Sequence, residues 1–435
     1  MRFHLLALAL FLGYMPLAFA TTYYVSGTGS DASDGLSDHT AFRTIQKAAD
    51  LTNPGDTVLV MDGTYTNAWW SGDVVDLKRS GTPEAWITFK NAPGQHPVIS
   101  FNGWSGFKSQ TASYIEISGF TIIGNNDHLT LEEALKQKDW ADPKCNGNGI
   151  ALDGRDQGAH LPHHYRILHN TISKCGGGGI DACEADYLNI EGNRVFDNAW
   201  YTRFGNSGIS VCVMRDFDTV PGYHILIRNN IVYNNRTLVP WYQKQALSDG
   251  NGIIIDSNNE TKYSGHTLVA NNLCLHNGGS GIHTFKSAHV DIVNNTTWHN
   301  SQKLDYGEIY ANASSDINII NNLCVAEDGK PMNSNYGDNR NVVYDSNLFF
   351  GGQKPVVIGS HPLIADPLLI HPEIDPTAGD FHLQPESPAR GAGAKAPFVP
   401  DTDLDGIPRP PGQKCDLGAY QYDGEKGTGI FKNSK

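Results

Sequence analysis

The amino-acid sequence predicts an all-β protein: a right-handed parallel β-helix, or solenoid, with an N-terminal capping helix and an irregular C-terminal cap. The first observation is a repeated Asn that precedes a short apolar or β-branched stretch. Steps of 23 to 27 residues match one coil of three short strands and three turns, and steps of 37 and 42 match a coil with a loop insertion. The repeat falls at Asn170, Asn193, Asn230, Asn272, Asn295, Asn322 and Asn347.

A second repeat, a Gly-Ile pair, runs in phase with the first. No helical period competes with the two repeats between residues 114 and 350. Two ladders in phase predict stacked coils, whose side-chain amides can bond to neighbours about 4.8 Å away. The Gly-Ile pairs begin at Gly149, Gly179, Gly208, Gly252 and Gly281, and Gly307-Glu308-Ile309 is a variant.

The chain begins with the features of a secretory signal peptide at residues 1–20. Arg2 supplies the positive charge, Leu5 to Leu12 the apolar stretch, and Ala18-Phe19-Ala20 a small-residue cleavage site. We therefore expect a secreted or periplasmic protein.

Both ends of the remaining chain fit the predicted solenoid. Residues 42–51 form a short amphipathic pattern that predicts a helix over the open end of the first coil. Residues 351–435 lose the repeat and are rich in Pro and Gly. The sequence thus assigns residues 21–350 to the β-helix domain and residues 351–435 to a C-terminal cap or accessory segment.

Charge and hydropathy exclude several partners. The formal net charge of −14 argues against binding to nucleic acid and to anionic membranes. After the signal peptide, no segment is long and apolar enough to span a bilayer. We expect a monomer.

One strand of each coil carries the candidate functional residues. If the Ile of each Gly-Ile pair points inward, the second and fourth residues after the Gly point outward. This places Asp181 and His283 in one outward column and Asp256 in the next, with Lys286 just after the strand that carries His283. Residues about two dozen positions apart then become neighbours on one surface.

Two insertions in the repeat are expected to wall this surface. Aromatic faces stack on sugar rings, and arginines pair with carboxylates. The candidate substrate-binding residues are Tyr201, Arg203, Arg236, Trp241 and Tyr242. The alternative is that these loops merely cover an apolar patch.

Several segments resemble bacterial β-helix polysaccharide lyases, with pectate lyases of family 9 and alginate or chondroitin lyases of family 6 as the nearest comparison. They are Tyr23 to Ser26, Phe42 to Ala48, Pro54 to Val58 and Asp62 to Tyr65. The tail from Ser387 to Tyr420 is similar to the closing segment of many exported bacterial β-helix proteins.

This resemblance implies β-elimination of an acidic, uronic-acid-containing polysaccharide. Such a reaction neutralises the substrate carboxylate, removes the C5 proton and protonates the leaving oxygen. Gly281 to Ser287 is similar to the stretch that carries the base lysine of family 6, so Lys286 inherits that role, although the Glu of that stretch is Gly281 here. His283 occupies the position of the family 9 base lysine.

The resemblance also implies a calcium ion. Asp181, Asp249 and Asp256 are its candidate ligands, and Asp256 also joins Lys286 and His283 as a candidate catalytic residue. The dense acidic calcium motif of family 9 is reduced here to Asp249-Gly250 and Asp256. Alternating carboxylates at residues 401–406 suggest a separate structural calcium loop.

Three other functions stay open. A glycoside hydrolase could use Asp249 and Asp256 as a carboxylate pair, and a uronate C5-epimerase would share the proton abstraction. A non-catalytic carbohydrate-binding β-helix is the third. In every case the expected partner is a polysaccharide.

The cysteines suggest two disulfide bonds. Cys145 and Cys175 both lie four residues before the glycine of their Gly-Ile pairs, and Cys183 and Cys212 share the fourth, outward position after theirs. The spacing of adjacent coils is compatible with a disulfide bond.

Overall fold

The computed structural model describes residues 20–137, 142–158 and 160–424. The predicted signal peptide lies outside these ranges except for its last residue. Within them, no helix combines the length and the apolar character that a membrane span requires.

Three long sheets run along the molecule and confirm the predicted parallel β-helix, since every strand pair within them is parallel. The first sheet has 11 strands: Thr22–Val25, Thr57–Val60, Ile87–Asn91, Ser113–Ser118, His163–Leu168, Asp186–Glu191, Tyr223–Arg228, His266–Ala270, Ala288–Val293, Ser315–Ile320 and Arg340–Asp345. The groove sheet has eight: Val75–Leu77, Ser105–Ser109, Asn148–Asp153, Ile180–Cys183, Ile209–Cys212, Ile253–Asp256, Ile282–Phe285 and Ile309–Asn312. The third sheet has 11: Thr64–Tyr65, Val98–Ser100, Thr121–Ile123, Thr171–Ser173, Arg194–Phe196, Ile231–Tyr233, Leu273–Leu275, Thr296–Trp298, Leu323–Ala326, Leu348–Gly351 and Leu363–Ile364.

The Gly-Ile repeat marks the start of successive groove-sheet strands, as the sequence predicted. Ile150, Ile180 and Ile209 are direct partners in the register and are fully buried. A Cβ atom on Gly149 would lie 2.4 Å from Ile172 Cγ2, and one on Gly179 would lie 2.4 Å from Val195 Cγ1. Only glycine lets the chain approach the third sheet so closely at this bend.

The repeated asparagines form a buried ladder at the bend between the first and third sheets. The backbone N–H and the Nδ2 of Asn230 both donate to Asn272 Oδ1 at 3.0 Å, and the same Nδ2 donates to the Ile190 carbonyl at 2.9 Å. Each amide thereby bonds to the asparagine of the next coil and to a backbone group of the preceding coil, so the buried polar atoms have partners.

A second asparagine ladder, which the sequence analysis missed, lies at the next bend. It consists of Asn198, Asn235, Asn277 and Asn300, each five residues after a member of the first ladder. Glu308 ends it by accepting from the backbone N–H of Asn300 at 2.8 Å and from its Nδ2 at 2.6 Å. Burial raises the pKa of Glu308 to about 8. The constant offset of five residues from the first ladder is the feature of the sequence that would have predicted the second ladder.

The N-terminal capping helix is confirmed but shorter than predicted, at Ile45–Ala49, with Thr44 Oγ1 accepting from the Lys47 N–H as its N-cap. Gln46 pairs with both backbone groups of Asp76, at 2.7 and 3.1 Å. The helix therefore covers the edge strand of the groove sheet that would otherwise be open to another chain. The remaining short helices are Asp38–Thr40, Asn126–His128, Leu131–Lys136 and Pro143–Asn146.

The C-terminal segment supplies the last strand of the third sheet, Leu363–Ile364, and then packs along the outer face of that sheet. It contains an antiparallel pair, Leu369–His371 with Asp380–Leu383. The third sheet carries outward-facing leucines, whose exposure to water would be unfavourable. The segment packs its own apolar side chains on them. Arg409 Nη2 fixes it by donating to Asn271 Oδ1 at 2.9 Å.

Candidate active site

The groove sheet presents two outward columns of side chains in the predicted order. The first runs Asp76, Lys108, Ala151, Asp181, Ser210, Ile254, His283 and Tyr310. The second runs Asp153, Cys183, Cys212, Asp256, Phe285 and Asn312.

A cleft lies over these columns in two connected parts. The upstream part, of about 620 Å³, and the downstream part, of about 650 Å³, share Phe204, Trp241, Ile254 and Asp256 as lining residues. Asp181 lines the upstream part only. The downstream part brings together Lys286, His283 and Asp256, the three residues predicted to be catalytic, with Asp249, a predicted calcium ligand.

Asp256 lies at the end of its strand, where the two parts of the cleft meet. Ser257 Oγ donates to its carboxylate at 2.8 Å. Burial raises the pKa of Asp256, and the nearby Lys286 charge opposes the change. This carboxylate therefore binds a proton or a cation more readily than an exposed aspartate does.

Asp249 is a carboxyl group of the cleft with a pKa near neutrality. It adopts a left-handed backbone conformation, φ 65°, directly before Gly250. Burial raises its pKa to about 7, and the negative charge of Asp256 adds to the shift. Its side chain packs so closely on Gly205 that a Cβ there would lie 2.6 Å from Oδ2. Near pH 7 this group can both donate and accept a proton.

Asp181 is the third predicted acidic residue and faces the upstream part. Burial raises its pKa to about 6, against the opposing charge of Arg155. Asn206 Nδ2 donates to its Oδ1 at 3.4 Å. Arg155 itself forms an ion pair with Asp153 at 2.8 Å.

His283 is buried beneath two tyrosines. Its ring stacks on Tyr310 with centroids 4.8 Å apart and meets Tyr306 edge-on at 6.2 Å. Nδ1 lies 2.6 Å from Ser280 Oγ. Burial lowers the pKa of His283 to about 3, so the imidazole is neutral at pH 7 and too weakly basic to abstract a carbon-bound proton.

Lys286 lies at the rim of the downstream part. It occupies a left-handed turn, φ 45°, that follows its strand, as Ser257 does one coil earlier. Its Nζ is 3.7 Å from Glu260 Oε1 and 5.2 Å from the centre of the Phe285 ring. The amine is half-exposed and can reach a ligand in the cleft.

The predicted substrate-binding residues separate into two groups. Trp241 and Tyr242 line the cleft. Tyr201 is instead buried in a small apolar cluster with Cys145 and Val239, so part of this insertion covers an apolar patch. The other two predicted residues, Arg203 and Arg236, also lie outside the cleft lining.

Both of these arginines have internal partners. Arg203 Nη1 donates to the Gln137 carbonyl at 3.0 Å. The Arg236 guanidinium lies 5.7 Å from the centre of the Trp200 ring, and burial lowers its pKa. They stabilise the loops that form the wall.

One of the two predicted disulfide bonds is present. Cys183 and Cys212 are bonded, with Cα atoms 4.8 Å apart, and form the floor of the upstream part. The prediction for Cys145 and Cys175 was wrong, since both are free buried thiols. Equal sequence offsets place residues on adjacent coils, but Cys145 points into the cluster with Tyr201.

The three predicted calcium ligands do not form a ready-made metal cage. Calcium binds six to eight oxygens at 2.3–2.6 Å, so its ligand atoms converge closely. Among the described residues, the two groups of potential ligands with atoms within 4.8 Å are Asp181 with Cys183 and Cys212, and Asp186 with Asp216 and His224. Asp181, Asp249 and Asp256 face one cleft without such convergence.

The suggested calcium loop at residues 401–406 has other partners. Asp403 accepts the backbone N–H groups of Asp405 and Ile407 at 2.9 and 2.7 Å. Asp405 lies 2.9 Å from His382 Nε2. These hydrogen bonds show that the alternating carboxylates stabilise a turn and a contact with His382.

Five aromatic residues of the cleft were not identified from the sequence: Trp104, Phe204, Tyr306, Tyr310 and Tyr336. Trp104 was missed because its coil carries Gly106-Phe107 where the others carry Gly-Ile, and Phe107 pairs with Ile150. A search for glycine followed by any large apolar residue finds this coil. Tyr310 directly follows Ile309 of the Gly307-Glu308-Ile309 variant, so strand alternation places it outward next to His283. Phe204, Tyr306 and Tyr336 lie in loops, whose paths the spacing alone does not give.

The fold and the cleft together define a right-handed parallel β-helix protein with an acidic, aromatic-walled groove. The family model "Pel9A-like, right handed beta helix region" matches residues 23–322, and the chain belongs to this family. The crystal structure of pectate lyase Pel9A superposes with a TM-score of 0.56 at 14% identity, over 93% of this chain and 96% of that one, and it shows the shared fold.

Two further similarities complete the comparison. A family 28 exopolygalacturonase of Yersinia enterocolitica aligns with a TM-score of 0.49 at 13% identity, over 78% of this chain and 68% of that one. The uncharacterized protein YwoF of Bacillus subtilis (strain 168) is 34% identical over 106 residues, 23% of this chain and 21% of its own length. The match thus spans about a fifth of that relative.

Proposed function

We propose that this protein is a secreted enzyme that cleaves an acidic polysaccharide by β-elimination in the cleft over the groove sheet. The observation that carries the proposal is that Lys286, Asp249 and Asp256 line the same part of the cleft, the downstream part. Membership of a family named after a pectate lyase supports it.

Each step of the reaction has a candidate group. Lys286, in its neutral form, takes the C5 proton, because the lowered pKa of His283 leaves that imidazole a poor base. Asp249, with its pKa of about 7, donates a proton to the leaving oxygen. His283, held by Ser280, positions the sugar through the nitrogen that faces away from that bond.

The aromatic wall supplies binding. Trp241 and Tyr306 line the downstream part beside these groups, and sugar rings stack on such faces. Lys244 also lines it and offers positive charge to a uronate carboxylate. Calcium binding belongs to this proposal, but the reaction steps are assigned to side chains alone, because the acidic residues do not form a preassembled cage.

Hydrolysis by a carboxylate pair is the second candidate. It is favoured by the raised pKa of both Asp249 and Asp256, since the charge of Asp256 helps to hold the proton on Asp249. A glycosidase needs two carboxyl groups on one surface, one as acid and one as base or nucleophile.

One assay separates the two reactions. The full chain is incubated with pectate, alginate and glycosaminoglycans, with added calcium or with a chelator, while unsaturated-uronate absorbance and reducing ends are recorded. We expect both signals to rise together. Reducing ends without the absorbance identify a hydrolase, and the chelator series shows whether calcium takes part.

The role of Lys286 as the base can be tested against a control lysine, Lys262, in the loop after the preceding groove-sheet strand. Lys286→Ala should lower the elimination rate at least a hundredfold without changing the melting temperature. Lys262→Ala removes an exposed lysine outside the cleft and should leave the rate unchanged. Equal activity of the two variants would remove Lys286 from the mechanism.

A further inference from the structure

Two adjacent tryptophans are exposed near the N-terminal end of the solenoid. Trp69 is 63% and Trp70 is 65% exposed. Exposure of such large apolar rings to water is unfavourable and often marks a binding site. They lie in the connection between strands Thr64–Tyr65 and Val75–Leu77, which joins the third sheet to the groove sheet. Packing of the core does not account for them.

The connection that carries these tryptophans is fixed to the next coil. Asn67 Nδ2 donates to the Trp69 carbonyl at 2.6 Å and to Asn102 Oδ1 at 3.0 Å, while the Asn102 N–H donates to Asn67 Oδ1 at 3.2 Å. The Trp69 ring lies over Gly72, where a Cβ would come within 2.8 Å of it. The two rings are thus displayed on a preorganised loop, which lowers the entropic cost of binding.

The aromatic wall of the cleft comes from the same type of connection in later coils. Trp104, Phe204, Trp241 and Tyr306 each precede a groove-sheet strand, as Trp69 and Trp70 do. Parallel coils stack their equivalent connections along one edge of the solenoid. Trp69 and Trp70 therefore extend the aromatic edge to the first coil.

The distance from this edge to the reaction centre sets the length of the ligand. Five inter-strand steps separate Val75–Leu77 from Ile253–Asp256. At about 4.8 Å a step they cover roughly 24 Å, or about five sugar residues if each extends over one coil. Lys108 and Arg155 line the upstream part along this path and can pair with uronate carboxylates.

We propose that Trp69 and Trp70 form a remote platform that binds an acidic polysaccharide about five sugars away from the cleavage site. This inference rests on the proposed function and adds chain-length selectivity to it. Polymers reach the platform and gain affinity from it, whereas short oligosaccharides bound at Asp249 and Asp256 do not.

The test compares long and short ligands with the Trp69→Ala/Trp70→Ala double variant of the full chain. Affinity gel electrophoresis in polygalacturonate or alginate measures polymer binding, and kinetics on tetrasaccharides of the same polymer measure the catalytic centre. We expect at least a tenfold loss of polymer affinity and less than a twofold change in kcat/KM on the tetrasaccharide. Phe350→Ala removes an aromatic residue that is 38% exposed on the third sheet and serves as the control.

The outcomes separate the platform from the proposed function. Unchanged polymer affinity, or an equal loss on the tetrasaccharide, overturns the platform. Failure of the unmodified protein to bind any of these polymers overturns it as well. If the polymer binds through the platform but is not cleaved, the platform is supported and the proposed reaction is lost.

Discussion

At the scale of single residues, the environment of Asp249 links its chemistry to the stability of the protein. Its pKa rises from an ordinary 3.8 to about 7 because burial penalises the charged form. The folded protein therefore keeps a proton between these pH values that the unfolded chain has lost. Stability contributed by this group falls as the pH rises across that interval.

Asp249→Asn tests both consequences. The amide cannot donate the proton to the leaving oxygen, so we expect kcat to fall at least a hundredfold, while the melting temperature at pH 8 rises because no charge is buried. In the unmodified protein, the rate should decline as the pH rises above about 7. Asp338→Asn, at an exposed position, is the control. A destabilised Asn variant would contradict the assigned cause of the pKa shift.

For His283, the sequence predicted the position of the side chain but not its pKa. Alternation along its strand placed the ring on the outer face next to Asp256, and the structure confirms this. Its low basicity follows from Tyr306 and Tyr310, which cover it from the next coil and its connection. A pKa depends on such tertiary neighbours, and spacing in the sequence does not reveal how deeply they bury the group.

At the scale of elements, the asparagine ladder holds successive coils together through buried amides. Asn272 Oδ1 accepts from the backbone N–H and the Nδ2 of Asn230, and Asn272 Nδ2 donates to Asn295 Oδ1. Removing the amide leaves several buried polar groups without partners.

Asn272→Ala should therefore lower the free energy of unfolding by about 2–4 kcal/mol, since each buried unpaired group costs about 1–3 kcal/mol. Denaturant unfolding followed by circular dichroism measures the change. Asn259→Ala replaces an exposed asparagine of a connection and should change the free energy by less than about 0.5 kcal/mol. Equal losses of unfolding free energy in the two variants would mean that water can replace the hydrogen bonds of the ladder.

The C-terminal segment contains a second element with a pH-dependent contact. Burial opposes protonation of His382, but its hydrogen bonds to Asp380 and Asp405, at 2.6 and 2.9 Å, raise its pKa to about 9. A raised histidine pKa stabilises the fold fully below its ordinary value of 6.5, and this contribution is lost as the pH rises through about 9.

His382→Gln should destabilise the protein at pH 6, by an amount on the order of 3 kcal/mol. The difference from the unmodified protein should shrink as the pH approaches 9 and disappear above it, as recorded by melting temperatures in a pH series. His371→Gln, on the same antiparallel pair but exposed, should behave like the unmodified protein throughout. A pH-independent difference would assign His382 a packing role alone.

The repeated elements were predictable, and the connections between them were less so. Asn and Gly recur because the bends require buried amides and close approach, so Asn170 and Gly149 locate coils directly in the sequence. Loop paths follow no such rule: Tyr201 and Trp241 belong to similar aromatic insertions, yet one is buried in an apolar cluster and the other lines the cleft. The C-terminal segment packs on the third sheet because that sheet exposes leucines, a feature visible only after the strands are aligned.

At the scale of the whole molecule, the solenoid presents a long surface with an unfavourable overall charge for an acidic ligand. The formal net charge is −14, and the cleft carries Asp181, Asp249 and Asp256. A polyanion is repelled at long range but meets Lys108, Arg155 and Lys244 once it lies in the cleft. Long-range repulsion and short-range pairing respond differently to salt, because screening acts on charges separated by more than a Debye length.

This difference yields a prediction about substrate class. With a uronate polymer, raising the ionic strength from about 0.01 M to about 0.15 M shortens the Debye length from about 30 to about 8 Å, and KM should fall as the repulsion is screened. A neutral polymer of equal length is the control and should show a constant KM, because it carries no charge to be repelled. Steady-state kinetics at several salt concentrations provide the comparison. A KM for the uronate polymer that rises with salt would show that local lysine contacts dominate the encounter, and a constant KM would show that the net charge of the protein does not govern substrate capture.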